Sequence, residues 1–281
     1  MSAIAATGKP ITGPSALGGD FRRFVYLSVT LAVTEFKLRF FGSVLGYLWQ
    51  LMRPLMLFGI LYVVFTEFVR LGGGVEHYPV VLLTSIVLYT FFAEATGGAV
   101  TSVLDREELV RKIQFPRLVI PIAVVLTATF NLLLNLLAIF VFIAIQGVEV
   151  RLSWLELPLL LAGLAMLALG MSMIVAALYP RFRDVKPIWE VVLQVVFYAS
   201  PILYPIEVIP SERAQELLML NPLGMLLQQT RYALIDPSAP SAASAAGGVA
   251  WLALPIGLTI AILALGFWYF NREAPRVAEE L

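Results

Sequence analysis

The 281-residue chain has no cysteine and a single histidine, His77, which excludes disulfides, thiol nucleophiles, cysteine-ligated metals and most imidazole chemistry. Charge is scarce as well: 14% of the residues are ionic and 60% are hydrophobic, with a mean hydropathy of +0.88. That balance lies outside soluble globular domains and assigns an all-α polytopic membrane protein. The phosphate-cradling pattern G-x-x-x-x-G-K-[ST] is absent too, since the sole Gly-Lys pair, Gly8-Lys9, is followed by Pro10. Any nucleotide energy must therefore come from a partner. No catalytic residue, metal ligand or cofactor site is expected on this chain, and no nucleic-acid partner.

What is present is a set of long apolar runs. A membrane-crossing helix needs roughly 20 apolar residues, and six stretches qualify: Val44 to Thr66, Pro79 to Leu104, Leu118 to Ile145, Leu157 to Tyr179, Val185 to Tyr204 and Val249 to Phe270. Six transmembrane helices place both termini on one side. With that side taken as the cytoplasm, 15 of the 19 Lys and Arg fall inside and only Arg70, Arg151, Arg213 and Arg231 outside, which sets the orientation.

The ends carry their own expectations. Residues 1–20 are small, polar and Gly/Pro-punctuated, and read as a flexible cytoplasmic tail; 272–281 read as a second one. Between them, 43–271 form the membrane domain. Residues 21–42 read as an amphipathic interfacial helix, because Arg23, Thr30, Thr34 and Lys37 make a narrow polar stripe beside a broad apolar face. A seventh span there would have to take five ionic side chains into the hydrocarbon. Residues 210–235 read as a short outer-face helical hairpin between spans 5 and 6. Ser211 and Asn221 are its N-caps, Pro222 occupies a first helical turn, and Ser211 to Leu220 reaches only about 15 Å. The stretch DPSAPSAASAAGG that follows is expected to be a flexible linker.

Several constellations stand out against this background. Asp105 to Pro116, DREELVRKIQFP, is a charged island between two apolar runs on the cytoplasmic side. As a helix over 105–115 it pairs Glu107 with Arg111 and Glu108 with Lys112 at i,i+4, and Phe115-Pro116 ends it. Taken alone, the segment also suits an ordinary solvated loop. Gly42 and Gly46 form a small-xxx-small pair before the first span. Arg53 lies just inside that span, either snorkelling to phosphates or facing an aqueous pathway. Glu94 stands alone in mid-span, and Asn131 and Asn135 share one face of the third span. Tyr47, Trp49, Phe197 and Tyr198 suit interface anchoring and helix packing, and also the stacking of sugar rings.

In their order and spacing, LRFFGSVLGYLWQLMRPL, RKIQFPRLVIPIA, RDVKPIWEVVLQVVFYASPILYP and LNPLGMLLQQTRYALI, covering about Phe36 to Ile235, resemble the membrane subunit of type-2 ATP-binding-cassette exporters in the O-antigen, teichoic-acid and polysaccharide permease branch. The resemblance implies a homodimer with two cytoplasmic ATPase subunits, ATP and Mg being held by those partners. It implies a lipid-linked polysaccharide moving from the cytoplasm to the outer face of the bacterial inner membrane. By the same likeness Asp105, Glu107, Glu108, Arg111, Lys112, Phe115 and Pro116 fall on a coupling helix that docks in the ATPase. Tyr47, Trp49, Phe197 and Tyr198 fall on the substrate pathway, with Arg53, Glu94, Asn131 and Asn135 as intramembrane polar groups. A permease for drugs or small lipids would share this topology. A membrane glycosyltransferase is the more distant alternative, and it would need paired acids in an outer loop that the chain does not display.

Overall fold

The computed structural model describes residues 21–40, 46–69, 75–110 and 115–280, and helices dominate them. They are α1 (Phe21–Phe40), α2 (Leu48–Val63), α3 (Tyr78–Ser102), α4 (Glu107–Val110), α5 (Val119–Ile145), α6 (Leu157–Leu178), α7 (Val185–Tyr198), α8 (Glu212–Met219), α9 (Pro222–Leu234), α10 (Ala242–Ala245) and α11 (Ala253–Glu280). A π-turn over Val64–Phe68 extends α2, and a 3-10 turn over Leu152–Glu156 leads into α6. Five helical segments are long and apolar enough to cross a membrane: Leu48–Phe68, Tyr78–Ser102, Val119–Ile145, Leu152–Leu178 and Val249–Glu273. Residues 1–20, with the expected tail, lie outside the described residues.

The stretch expected as a fifth crossing departs from its reading. Its helix, α7, has 14 residues and stops at Tyr198, about 21 Å against a hydrocarbon layer of about 30 Å. Pro201 is the cause, because it lacks an N–H and its ring would clash with the Phe197 carbonyl four residues back. The non-helical backbone that follows is satisfied by protein groups instead. Tyr78 donates its hydroxyl to the Leu203 carbonyl at 2.9 Å, and Asn221 Nδ2 donates to Ser200 Oγ at 2.9 Å.

α3 is the centre of the bundle. Seventeen of its 25 residues are buried, and it packs against α2, α5, α6 and α7. By contrast α2 buries only Gln50, Pro54 and Phe58, and α7 only Trp189. Lipid tails are as apolar as leucine, so contact between spans is held by close packing and by polar groups that find partners. The tightest crossing joins α6 to α11. A Cβ on Gly170 would lie 2.8 Å from the Leu263 backbone, and one on Gly266 would strike the Gly170 carbonyl. Of the small-residue pair read from the sequence, Gly42 lies outside the described residues, and Gly46 has φ +47 in the turn before α2.

Glycine acts at the end of α5 as well. Gly147 has φ +68, Val148 N–H reaches the Ile143 carbonyl at 3.2 Å, and Gly147 N–H reaches that of Ala144 at 3.3 Å. This left-handed cap satisfies carbonyls that the helix end leaves open.

The hairpin helices form with the caps read from the sequence. Ser211 Oγ accepts from Ala214 N–H and Asn221 Oδ1 from Leu223 N–H. The linker after them is not flexible. Ala239, Ala242, Ala245 and Ala246 are buried, Gln228 Nε2 donates to the Pro240 carbonyl at 2.7 Å, and Ser241 caps α10. Small side chains let this segment pack closely against α8 and α9, which composition alone cannot reveal. The last helix also runs on past Phe270 to Glu280 where a tail was expected.

Candidate functional site

The charged island is built around the end of α3. Thr101 Oγ1 donates to Asp105 Oδ2 at 2.7 Å, and residues 103–106 turn before the four-residue α4. Glu107 and Glu108 occupy the first turn of α4, where carboxylates suit the unpaired N–H groups of a helix start. Arg111 and Lys112, and with them both expected i,i+4 pairs, lie outside the described residues. Helix is therefore seen over 107–110 only, within the 105–115 expected. Phe115 and Pro116 are non-helical, as a proline stop requires.

Both sides of the island are fastened to the bundle. Arg106 Nε donates to Glu35 Oε1 of α1 at 2.8 Å, while its Nη1 donates to the Ser102 carbonyl at 2.8 Å. Phe115 packs on a buried cluster that joins Phe24 of α1, Leu118 and Ile120, Met173 and Ala176 of α6, and Phe270 of α11. A displacement of the island thus reaches three other helices through direct contacts.

α1 packs along α5. Thr127 of α5 donates to the Ala32 carbonyl at 3.3 Å, and one turn further Phe36 meets Phe130 with ring centroids 5.6 Å apart. The two helices therefore run side by side in the same sense, with the apolar face of α1 on α5. Near its end, Arg39 of α1 forms an ion pair with Glu94. Asn131 Nδ2 donates to the same carboxylate oxygen at 2.7 Å, and Asn135 Nδ2 donates to the Asn131 carbonyl at 2.9 Å. Glu94, the lone acid of its span, ties α1, α3 and α5 together. Glu35 and Arg39, one turn apart on α1, make these contacts and lie outside the stripe of Arg23, Thr30, Thr34 and Lys37 read from the sequence. Their i,i+4 spacing with the acid first was the available signal.

The four aromatics separate into two kinds. Phe197 is packed against Tyr89, with centroids 4.8 Å apart at 67°, while Tyr89 donates to the Leu193 carbonyl at 2.7 Å. Tyr47 stacks on Phe36 at 5.2 Å but stays half exposed. Tyr198 is the most exposed of the four at 65%, and Trp49 is 43% exposed. Arg53 is exposed on α2.

A second charged cluster lies at the opposite end of the bundle. Arg231, 5% exposed, donates to Glu207 Oε2 at 2.8 Å and to Asp236 Oδ2 at 3.1 Å. Burial by itself would raise the Asp236 carboxyl. The hydrogen bonds from Ser238 and Arg231 outweigh it and hold the group below its ordinary value near 3.8. Beside it Gln229 donates to Glu156 Oε2 at 2.7 Å and accepts from Ala242 N–H. These bonds tie α9 and α10 to the N-terminal end of α6.

Among the described residues no group of three or more His, Cys, Asp or Glu could hold a metal ion. The polar groups of the site hold helices to one another.

Comparison with known proteins agrees with this geometry. Residues 26–235 match the ABC-2 type transporter family. The O-antigen export system permease protein RfbA of Klebsiella pneumoniae is 30% identical over 206 residues, 73% of this chain and 78% of the relative. That of Myxococcus xanthus is 28% identical over 217 residues, 77% and 83% of the two chains. The polysialic acid transport protein KpsM of Escherichia coli is 24% identical over 207 residues, 73% and 80%. With the match covering most of its length and all its long helices but the last, the chain belongs to the ABC-2 type transporter family.

Proposed function

We propose that this chain is the permease subunit of an exporter that moves a lipid-linked polysaccharide from the cytoplasm to the outer face of the inner membrane. Its relatives named for O-antigen and polysialic acid transport support the substrate class. The missing nucleotide loop supports a separate ATPase subunit, and the family's transporters are ATP-binding-cassette systems. The permease works as a homodimer with two such subunits, which hold ATP and Mg. In this reading α7 and the non-helical stretch after it make the fifth of six crossings, and the excess of cations on one side puts both termini in the cytoplasm. The family match favours export over a glycosyltransferase, and the named relatives favour polysaccharide over drugs or small lipids.

The observation that carries the reading is the fastening of the island. Asp105, Glu107, Glu108, Arg111, Lys112, Phe115 and Pro116 form the surface that meets the ATPase. Arg106 and Phe115 pass its movement to α1, α6 and α11. Tyr47, Trp49 and Tyr198 supply faces for sugar rings, whose C–H surfaces stack while their hydroxyls stay wet; Phe197, packed on Tyr89, braces that wall. Deletion of the gene tests the function: lipid-linked glycan accumulates inside the cell and leaves the surface, and the wild-type gene restores it. Unchanged surface glycan would contradict the assignment.

A further inference from the structure

Beyond the crossing of α6 and α11 lies a cavity of about 560 Å³, walled by α6, α9, α10 and α11. That size falls in the range of sites that hold small ligands. Its lining ends at Met166 on α6 and at Ile260 on α11, each about one turn short of the place where Gly170 meets the Ile262 and Leu263 backbone. From Met166 the lining runs back along α6 to Glu156, a depth of about 15 Å, half of a hydrocarbon layer of about 30 Å. The cavity is therefore as deep as one leaflet.

Its walls change character along that depth. Leu160, Met166, Leu226, Ile256 and Ile260 make the interior apolar, and Thr259 commits its hydroxyl to the Pro255 carbonyl at 2.8 Å. The polar groups gather at the end away from the crossing. Glu156 Oε2 accepts from Gln229 at 2.7 Å and Gln229 accepts from Ala242 N–H, while Ser241 adjoins Ala242 and Tyr232 lies one turn beyond Gln229 on α9. Leu159, Ile256 and Ile260 are exposed, so the cavity opens sideways through the apolar surface of the bundle. Its occupant must be apolar over most of its length and polar at one end, which describes a lipid. Charge narrows the choice. Among the described residues Glu156 forms no ion pair, and no Lys or Arg lines the cavity. A wholly anionic headgroup would face that carboxylate alone, whereas an ammonium supplies its counter-charge.

We propose that this cavity binds one zwitterionic phospholipid, with an acyl chain between α6 and α11, the headgroup ammonium on Glu156 and the phosphate beside the Tyr232 and Ser241 hydroxyls, which can donate to it. The chain fills space that no side chain occupies and braces α9 and α10 against the start of two spans. In the topology proposed above the lipid comes from the outer leaflet. Only that choice of leaflet rests on the proposed function, and the readout below is binding, which failure of the export assignment would leave untouched.

The test is to reconstitute the full exporter with its ATPase in vesicles of equal parts phosphatidylethanolamine and phosphatidylglycerol, re-extract it in mild detergent and weigh it by native mass spectrometry. One retained phospholipid per permease chain is expected, with the ethanolamine lipid favoured about tenfold, the selectivity of one charged hydrogen bond. Ile256→Trp fills the opening from an exposed position and is expected to abolish retention in a complex that still assembles; Leu159→Trp, exposed on the α6 wall, should do the same independently. Glu156→Gln keeps an acceptor for Gln229 and removes only the charge, so it should retain lipid without headgroup preference. Equal retention by wild type and both tryptophan variants would show annular lipid only and overturn the site. A preference unmoved by Glu156→Gln would overturn the ammonium contact. A glycan lipid retained from native membranes in place of phospholipid would give the cavity to the cargo and overturn the proposed occupant.

Discussion

Arg106 and Glu35 illustrate what one residue does here. Their pair is about four-fifths buried on each side, and Arg106 is also held by the Ser102 carbonyl. Arg106→Glu is expected to cost about 2 kcal/mol of local stability, as for a lost charged hydrogen bond, and to free α1 for proteolysis. Glu35→Arg with Arg106→Glu should recover most of it. Limited proteolysis of the purified chain reads both, and equal cleavage of the single and double variants would refute the pairing. Asp236 gives a pH-dependent counterpart. Its folded-state pKa lies below the unfolded value, so its contribution is complete above about pH 4 and is lost as pH falls further through the folded value. Asp236→Asn should therefore lower the melting temperature at pH 7 and flatten the acid side of the stability profile. The pairs of Arg106 with Glu35 and Arg39 with Glu94 were not legible beforehand, because partners 71 and 55 positions apart leave no periodic trace in a sequence.

At the scale of elements, local chemistry carried further. The caps at Ser211 and Asn221 were readable because a side chain and an N–H two or three residues away settle them. The departures share a different cause. Apolar content ran one helix from Val185 to Tyr204, although Pro201 forbids the helix from continuing past Tyr198. Small-residue content marked 236–248 as a linker, although tertiary bonds from Gln228 and Gln229 order it. The α6–α11 crossing depends on Gly170 and Gly266, one from each helix, and no single-segment pattern links them. Gly266→Leu is expected to overpack that crossing and cost about 1–3 kcal/mol, seen as a lower melting temperature of the detergent-solubilised protein. Gly257→Leu, where nothing lies within 4 Å of the added Cβ, serves as the control and should change little.

For the whole molecule, composition and cation placement gave the class, and the ordered segments gave the family. They could not give the fastening of the island, which arises only when α1 lies along α5 and brings Glu35 to Arg106. That contact joins the charged segment to α1, while Phe115 rests on the cluster shared by α1, α6 and α11, the arrangement on which the proposed coupling role depends.

The direct test is to reconstitute the permease with its ATPase and measure ATP hydrolysis and glycan export together for Glu108→Arg with Arg111→Glu. Folding should be unaffected, since Glu108 is exposed. The account predicts that transport-stimulated hydrolysis and export both fall by about tenfold or more, the equivalent of losing one charged contact of about 1.4 kcal/mol at the docking surface. Normal export with normal coupling from that variant would show that the island is not where the motor engages.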